Sequence, residues 1–270
     1  MRQFFLTFVL LLGVALPAQA EETALESMQT ADAARGWEAV GRLDIAGKGF
    51  CTGALIAPDL VLTAAHCLFD SSKAQVDPAG IQFLAGMRNG RALAYRGVRR
   101  TVVHPAYVYP SVVDTSIVRY DVALLELDQP IRSTQITPFE TAGGTAAGTQ
   151  VGVVSYAFDR SEAPSLQEVC DILGEQQGMI ITTCDINFGS SGAPIFRIDN
   201  GIARIVSVVS GMAEVDSELV SFGPVLMESL TLLRAELTAG ADTFQSTPPP
   251  QVRVIAPGER TQTGAKFVRP

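Results

Sequence analysis

Leu60-Val61-Leu62-Thr63-Ala64-Ala65-His66-Cys67 is the stretch on which the reading of this chain turns. A β-prone apolar run ends in two alanines, a histidine and a cysteine. Side chains as small as alanine let the His66 ring sit close to the backbone, facing a cleft rather than the core. Cys67 can tether that turn to Cys51, on the apolar run Phe50–Ala57, and so fix where His66 points. An isolated histidine is more often satisfied by a backbone carbonyl than engaged in chemistry. Here the whole string carries the meaning.

Two other segments supply the partners such a histidine needs. Asp121-Val122-Ala123-Leu124-Leu125-Glu126-Leu127 opens an apolar strand with a carboxylate. A partly buried carboxylate is costly unless hydrogen-bonded, and an imidazole N–H is a suitable donor. The competing Asp114, in a polar loop, and Asp128, in an Asp-Gln-Pro turn, read as solvated. The segment Phe188-Gly189-Ser190-Ser191-Gly192-Ala193-Pro194 is a tight turn of small residues whose N–H groups can converge. A serine there can attack a carbonyl, and the Gly189 and Ser191 N–H groups could stabilise the oxyanion. Alone, Gly-Ser-Ser-Gly is only a turn; its weight comes from His66 and Asp121.

Together with Cys51-Thr52-Gly53-Ala54-Leu55-Ile56, these strings resemble the trypsin-like (chymotrypsin-fold) serine peptidases over roughly residues 37–238. The His…Asp…Ser order agrees with that of chymotrypsin. The resemblance implies an all-β fold of two packed six-stranded antiparallel barrels with a C-terminal helix, and a cleft between the barrels. It implies Ser191 as nucleophile, His66 as general base and then acid, and Asp121 as the group that orients the imidazole. It implies an oxyanion hole at Gly189 and Ser191, a protein or peptide substrate, and no metal or cofactor.

The chain also departs from that pattern. In the pancreatic members an aspartate precedes the nucleophile and pairs with a new N-terminus made by proteolysis. Here the position is Ser190, and no Ile-Val-Gly-Gly-like start lies near residue 36. The chain is more similar to secreted bacterial peptidases, the glutamyl endopeptidase group among them. Folding alone, or folding with removal of residues 21–36, is expected to make the site competent. Asp185, six residues before Ser191, has the offset of the pocket-floor aspartate of trypsin. It also directly follows Cys184 and could instead cap a turn. The pocket histidine of glutamyl-specific enzymes has no counterpart on Arg204–Ser207. Ser207 and Val208 are expected to line the substrate strand.

Composition bounds the rest. Of 270 residues, 47% are hydrophobic and 18% charged, which excludes disorder of the whole chain and allows a sizeable core. A net charge of −8 argues against nucleic acid as a partner. Arg2, the apolar run from Phe4 to Leu16 and Pro17-Ala18-Gln19-Ala20 have the layout of a secretory signal peptide, with cleavage expected after Ala20. The run is too short for a transmembrane helix. A monomer that is secreted or periplasmic is expected. In such a compartment Cys51, Cys67, Cys170 and Cys184 read as disulfides, with three pairings open. The sequential pairing closes two short loops, each worth about 3 kcal/mol on the chain-entropy account. A zinc site fits poorly, since no CxxC spacing occurs and there are two histidines.

Residues 21–36 read as a flexible leader or propeptide remnant. The first barrel is expected at about 37–140 and the second at about 147–225, joined by the small-residue segment Thr141–Gly148. A helix is expected at about 225–238, from Leu226, Leu230, Leu233 and Leu237 with Gly240 as a stop. Residues 239–270, with Pro248-Pro249-Pro250, read as a disordered basic tail. A catalytically silent binding module of the same fold is the alternative function. An esterase fits less well, because Ser191 is not in a Gly-x-Ser-x-Gly elbow.

Overall fold

Continuous apolar runs become strands buried on both faces. The computed structural model describes residues 22–46, 49–110, 115–215 and 217–241. The signal peptide expected at 1–20, Asp114 and the tail from 242 onward lie outside these residues. After a two-residue strand β1 (Glu26–Ser27) come β2 (Val40–Ile45), β3 (Gly49–Ala57), β4 (Leu60–Thr63), β5 (Ile81–Ala85), β6 (Ala94–Val103) and β7 (Ala123–Leu127). These last six close into a barrel in the order β2-β3-β4-β7-β6-β5, with every pairing antiparallel.

The second half consists of β8 (Glu140–Thr141), β9 (Gln150–Ala157), β10 (Arg160–Gln176), β11 (Met179–Thr182), β12 (Pro194–Asp199), β13 (Ile202–Val208), β14 (Gly211–Val215) and β15 (Glu218–Pro224). They lie in the order β14-β15-β11-β10-β9-β12-β13-β8, and β1 joins by pairing with β10. The expected all-β architecture is present. The second sheet has nine strands because the short β1 and β8 and the hairpin strand β14 enlarge it.

Successive side chains of a strand point to opposite faces. Accordingly Val61 and Leu125 fill the interior of the first barrel, while their neighbours Leu62 and Leu124 pack between the two halves. Tyr156 and Phe196 meet them from the second sheet. The helix α1 (Leu226–Ala241) buries Leu226, Leu230 and Leu233 against the same inter-half core. Arg100 Nη2 donates to Leu237 O at 2.8 Å, satisfying a carbonyl of the last turns.

Of the segment 21–36, expected as a flexible leader or propeptide remnant, the described residues 22–36 are folded onto the second half. Thr23 N donates to Val169 O at 3.0 Å and Met28 N to Pro164 O at 2.9 Å, and Met28 and Ala34 are buried. Both disulfides follow the sequential pairing, Cys51–Cys67 and Cys170–Cys184. Among the described residues no helix is long and apolar enough to cross a membrane.

Candidate active site

Strand register brings His66 to Asp121. Thr63, the last residue of β4, pairs with Ala123, the first of β7. The strands are antiparallel, so the chain leaving β4 and the chain entering β7 pass the same end of the barrel. His66 lies three residues beyond that pair and Asp121 two before it. His66 Nδ1 is 2.7 Å from Asp121 Oδ2, and the His66 backbone N–H donates to Asp121 Oδ1 at 2.8 Å. Ser210 Oγ donates a further short hydrogen bond to Asp121 Oδ2.

These bonds set the charge states. Burial alone would raise the Asp121 pKa. The His66 charge and the hydrogen bonds from His66 and Ser210 outweigh it, so the carboxyl sits below its ordinary range. Burial alone would lower the His66 pKa. The Asp121 carboxylate and its hydrogen bond outweigh that, so His66 is raised. The His66 side chain keeps 27% of its surface exposed, whereas Asp121 keeps 5%. The other histidine is a different object. His104 is buried, its Nδ1 accepts the Ala106 N–H at 3.1 Å, and burial pushes its pKa down against the pull of Glu228.

Ser191 lies across the cleft, on the second half. A cavity of about 640 Å³ is lined by both His66 and Ser191, with Phe50, Cys51, Asp70 and Gln75 on its other walls. No hydrogen bond joins Ser191 Oγ to His66 among the described residues; His66 Nε2 is 3.9 Å from Cys67 Sγ. Catalytic hydrogen bonds are commonly long in resting enzymes and tighten in the substrate complex. The structure thus joins two of the three expected groups and brings the third to the same cleft.

The Ser191 turn is fixed mostly by its main chain. Gly192 N donates to Val209 O at 2.7 Å, and Ala193 N to Ser190 O at 2.9 Å. Gly189 has φ +97°, and a Cβ there would meet the Phe50 ring at 2.5 Å, so only glycine fits. A Cβ on Gly192 would meet Thr63 Oγ1 at 2.1 Å. Neither the Gly189 nor the Ser191 N–H has a hydrogen-bond partner among the described residues. They are available to a developing oxyanion.

Thr52, next to Cys51 on β3, ties this turn to the first barrel. Its N–H donates to Ser191 O at 2.8 Å, and its Oγ1 donates to Gly189 O at 3.0 Å while accepting the Tyr156 N–H at 3.1 Å. Sequence reading quoted Thr52 only as part of a string, and it missed Ser210. A buried threonine beside the cysteine that holds His66, and a serine directly after Ser207-Val208-Val209, were the available signals.

The other candidates fall elsewhere. Ser207 and Val208 are fully buried, and Ser207 Oγ donates to Pro224 O at 2.7 Å. Burial takes both side chains out of a substrate's reach, which corrects their expected place on the groove. Asp185 is exposed, and its N–H donates to Gln167 Oε1 at 2.7 Å. It is not among the residues lining the cavity of His66 and Ser191. Asp128 is exposed, as its turn suggested. Cys51, His66 and Cys67 cluster closely enough to suggest a metal site. Both sulfurs are in a disulfide, however, and offer no thiolate.

Comparison with known proteins places the chain. A family model described as Trypsin matches residues 28–220. The glutamyl endopeptidase of Bacillus licheniformis is 30% identical over 150 residues, covering 55% of this chain and 46% of that protein. A trypsin of Simulium vittatum is 29% identical over 201 residues, covering 63% of this chain and 76% of that protein. The chain therefore spans less than half the length of the Bacillus relative. A solved structure of a Glu endopeptidase in complex with MPD superposes with TM-score 0.63 at 20% identity, over 80% of this chain and 96% of that one. That likeness is one of fold.

Proposed function

We propose a function for this chain from one premise: it belongs to the trypsin family of serine peptidases, nearer its glutamyl-endopeptidase-like members. The function is hydrolysis of internal peptide bonds through Ser191, His66 and Asp121. Ser191 Oγ attacks the scissile carbonyl carbon while His66 takes the hydroxyl proton. The negative charge moves to the carbonyl oxygen, where the Gly189 and Ser191 N–H groups meet it. The C–N bond then breaks, His66 gives its proton to the leaving amine, and an acyl-enzyme remains. Water, deprotonated by His66, attacks the acyl carbon; the C–Oγ bond breaks, His66 returns the proton to Ser191 Oγ and the acid product leaves. Asp121 stays ionised throughout and holds His66 Nδ1–H, leaving Nε2 as the base.

The observation that carries this reading is the 2.7 Å contact of His66 with buried Asp121, on a cleft that also holds Ser191. The test is labelling by a fluorophosphonate together with cleavage of an unfolded protein substrate. Ser191→Ala is expected to abolish both, with kcat reduced by about 10⁶-fold. A wild-type chain that neither labels nor cleaves fits a silent binding module instead. Labelling that persists in Ser191→Ala places the nucleophile elsewhere.

Export belongs to the same proposal. Two disulfides among the described residues favour an oxidising compartment. Mass spectrometry of the protein recovered outside the cytoplasm is expected to find its first residue at Glu21. Recovery of the intact chain from the cytoplasm with reduced cysteines would contradict this.

A further inference from the structure

Arg160 occupies a position that the proposed chemistry does not use. It is the first residue of β10 and faces Ala157 of β9 across the two-residue turn Phe158–Asp159. Its side chain is only 12% exposed. Nη2 donates to Ser155 Oγ at 3.0 Å and to Ser190 Oγ at 3.4 Å. Nη1 donates to Asp159 Oδ1 at 3.2 Å, and Nε is buried with no partner among the described residues. Burial pulls its pKa down while Asp159 and Asp185 pull it back up. A guanidinium stays charged at any pH where a protein is folded. A buried charge with so few hydrogen bonds is unfavourable in itself, so its placement calls for a reason.

What Arg160 touches is the residue directly before the nucleophile. Ser190 is fully buried. Its Oγ accepts the Asn187 N–H at 3.3 Å and can donate to Ser155 Oγ at 3.2 Å or to Tyr156 O at 3.3 Å. Gly189 and Ser191, on either side of it, carry the two uncommitted N–H groups. Whatever fixes Ser190 fixes the aim of both donors. Thr52 grips this turn by its carbonyls from the first barrel, and the guanidinium grips it by the Ser190 hydroxyl from the second sheet.

We propose, resting on the serine chemistry above, that Arg160 is a positioning residue that holds the Gly189–Ser191 turn in its oxyanion-binding geometry. The cation comes from the β9–β10 hairpin, so it is in place as soon as the second sheet folds. The site needs no newly cut N-terminus to supply one.

The test compares the exported wild-type chain with Arg160→Met and Arg160→Lys by two independent readouts. In steady-state cleavage, Arg160→Met is expected to lower kcat by about 100-fold, the scale for catalytic groups misplaced by about 1 Å. KM stays within about threefold, because the lost interaction acts in the transition state. Affinity for a peptide boronate that forms a tetrahedral adduct with Ser191 falls in parallel. Arg160→Lys recovers part of the loss, since an ammonium can still reach one of the two hydroxyls.

The second readout is amide hydrogen exchange over residues 187–192 in the resting protein, which does not depend on turnover. It is expected to speed up in Arg160→Met while β9 and β12 stay protected. An unchanged kcat, a rise in KM with kcat intact, or unchanged exchange at 187–192 overturns the proposal. A wild-type chain inactive on every peptide overturns the peptidase reading, and the exchange result still decides the role of Arg160. Should Arg160→Met not fold, Ser190→Ala removes the gripped hydroxyl and is expected to lower kcat in the same way. Wild-type kcat in Ser190→Ala also overturns the proposal.

Discussion

His66 and Asp121 stand at the end of a closed barrel, whereas Ser191 stands in an irregular loop between Cys184 and the start of β12. The first pair owes its geometry to strand register, with Thr63 beside Ala123, and to the Cys51–Cys67 disulfide next to His66. The loop of Ser191 has no ladder of its own. Hydrogen bonds with separate elements hold it: two from Thr52 on β3, one from Gly192 to Val209 after β13 and one from Arg160 to Ser190. Moving one strand of a barrel disturbs all its neighbours, so His66 and Asp121 are set by the fold as a whole. The Ser191 turn can move with little loss of sheet. That difference bears on backbone shifts: in the barrel they threaten the fold, in the turn they threaten the site alone.

Short of removing Ser191 itself, the largest effect should come from breaking the His66–Asp121 pair on the barrel side. Asp121→Asn keeps the size of the side chain but presents an amide to His66 Nδ1, which favours the wrong tautomer. A loss of about 10⁴-fold in kcat is expected, with the fold retained. Stopped-time cleavage assays at pH 8 beside circular dichroism measure both, and a loss under about tenfold would mean that Asp121 does not orient the base.

Removing each disulfide in turn sharpens the comparison. The two close loops of nearly equal separation, 16 and 14 residues. On the loop-closure account, the pair Cys51→Ala with Cys67→Ala and the pair Cys170→Ala with Cys184→Ala should each cost about 3 kcal/mol in denaturant unfolding. If instead one pair costs far more than the other, native packing around the bond dominates over chain entropy, and the two corners differ in rigidity as well as in geometry.

The smallest effect is a displacement along the pH axis. In its proposed role His66 acts as a base only when neutral, so kcat/KM is expected to fall as pH drops through its folded pKa. That value is raised, so the acid limb should lie above the ordinary 6.5. Asp121→Asn removes the charge that raises it and leaves the burial that lowers it. The limb of the residual activity should move to lower pH. A limb that does not shift would show that the carboxylate is not what raises His66. Because His66 is raised on folding, its pairing also stabilises the native state fully below pH 6.5, and this contribution fades as pH rises through the folded value. Asp121 contributes in the opposite sense: its stabilisation is present above its ordinary pKa and is lost as pH falls through the lowered one.

Local chemistry made much of this legible from the residues alone. The apolar runs, the leucine spacing of α1 and the alanines before His66 each work over a few neighbours. The sequential pairing, one of three that the cysteines left open, is the one found. The packing of residues 22–36 was not legible because their pattern is weak: Glu26 and Ser27 pair with β10, and Met28 and Ala34 are buried in the core between the halves. Ser207 and Val208 misled because β13 is covered on both faces, so alternation did not leave one of them facing the cleft.

By itself the sequence determined the β-rich architecture, the C-terminal helix and the identity of His66, Asp121 and Ser191 as candidates. All of these follow from short-range pattern and from residue chemistry. Only the tertiary structure decided that Ser210 donates to Asp121, that Thr52 holds the Ser191 turn and that Arg160 reaches Ser190. These partners lie 89, 139 and 30 positions apart along the chain. No local preference encodes such separations. They exist because a closed barrel and a second sheet, each built on its own register, pack together and bring their loops to one cleft.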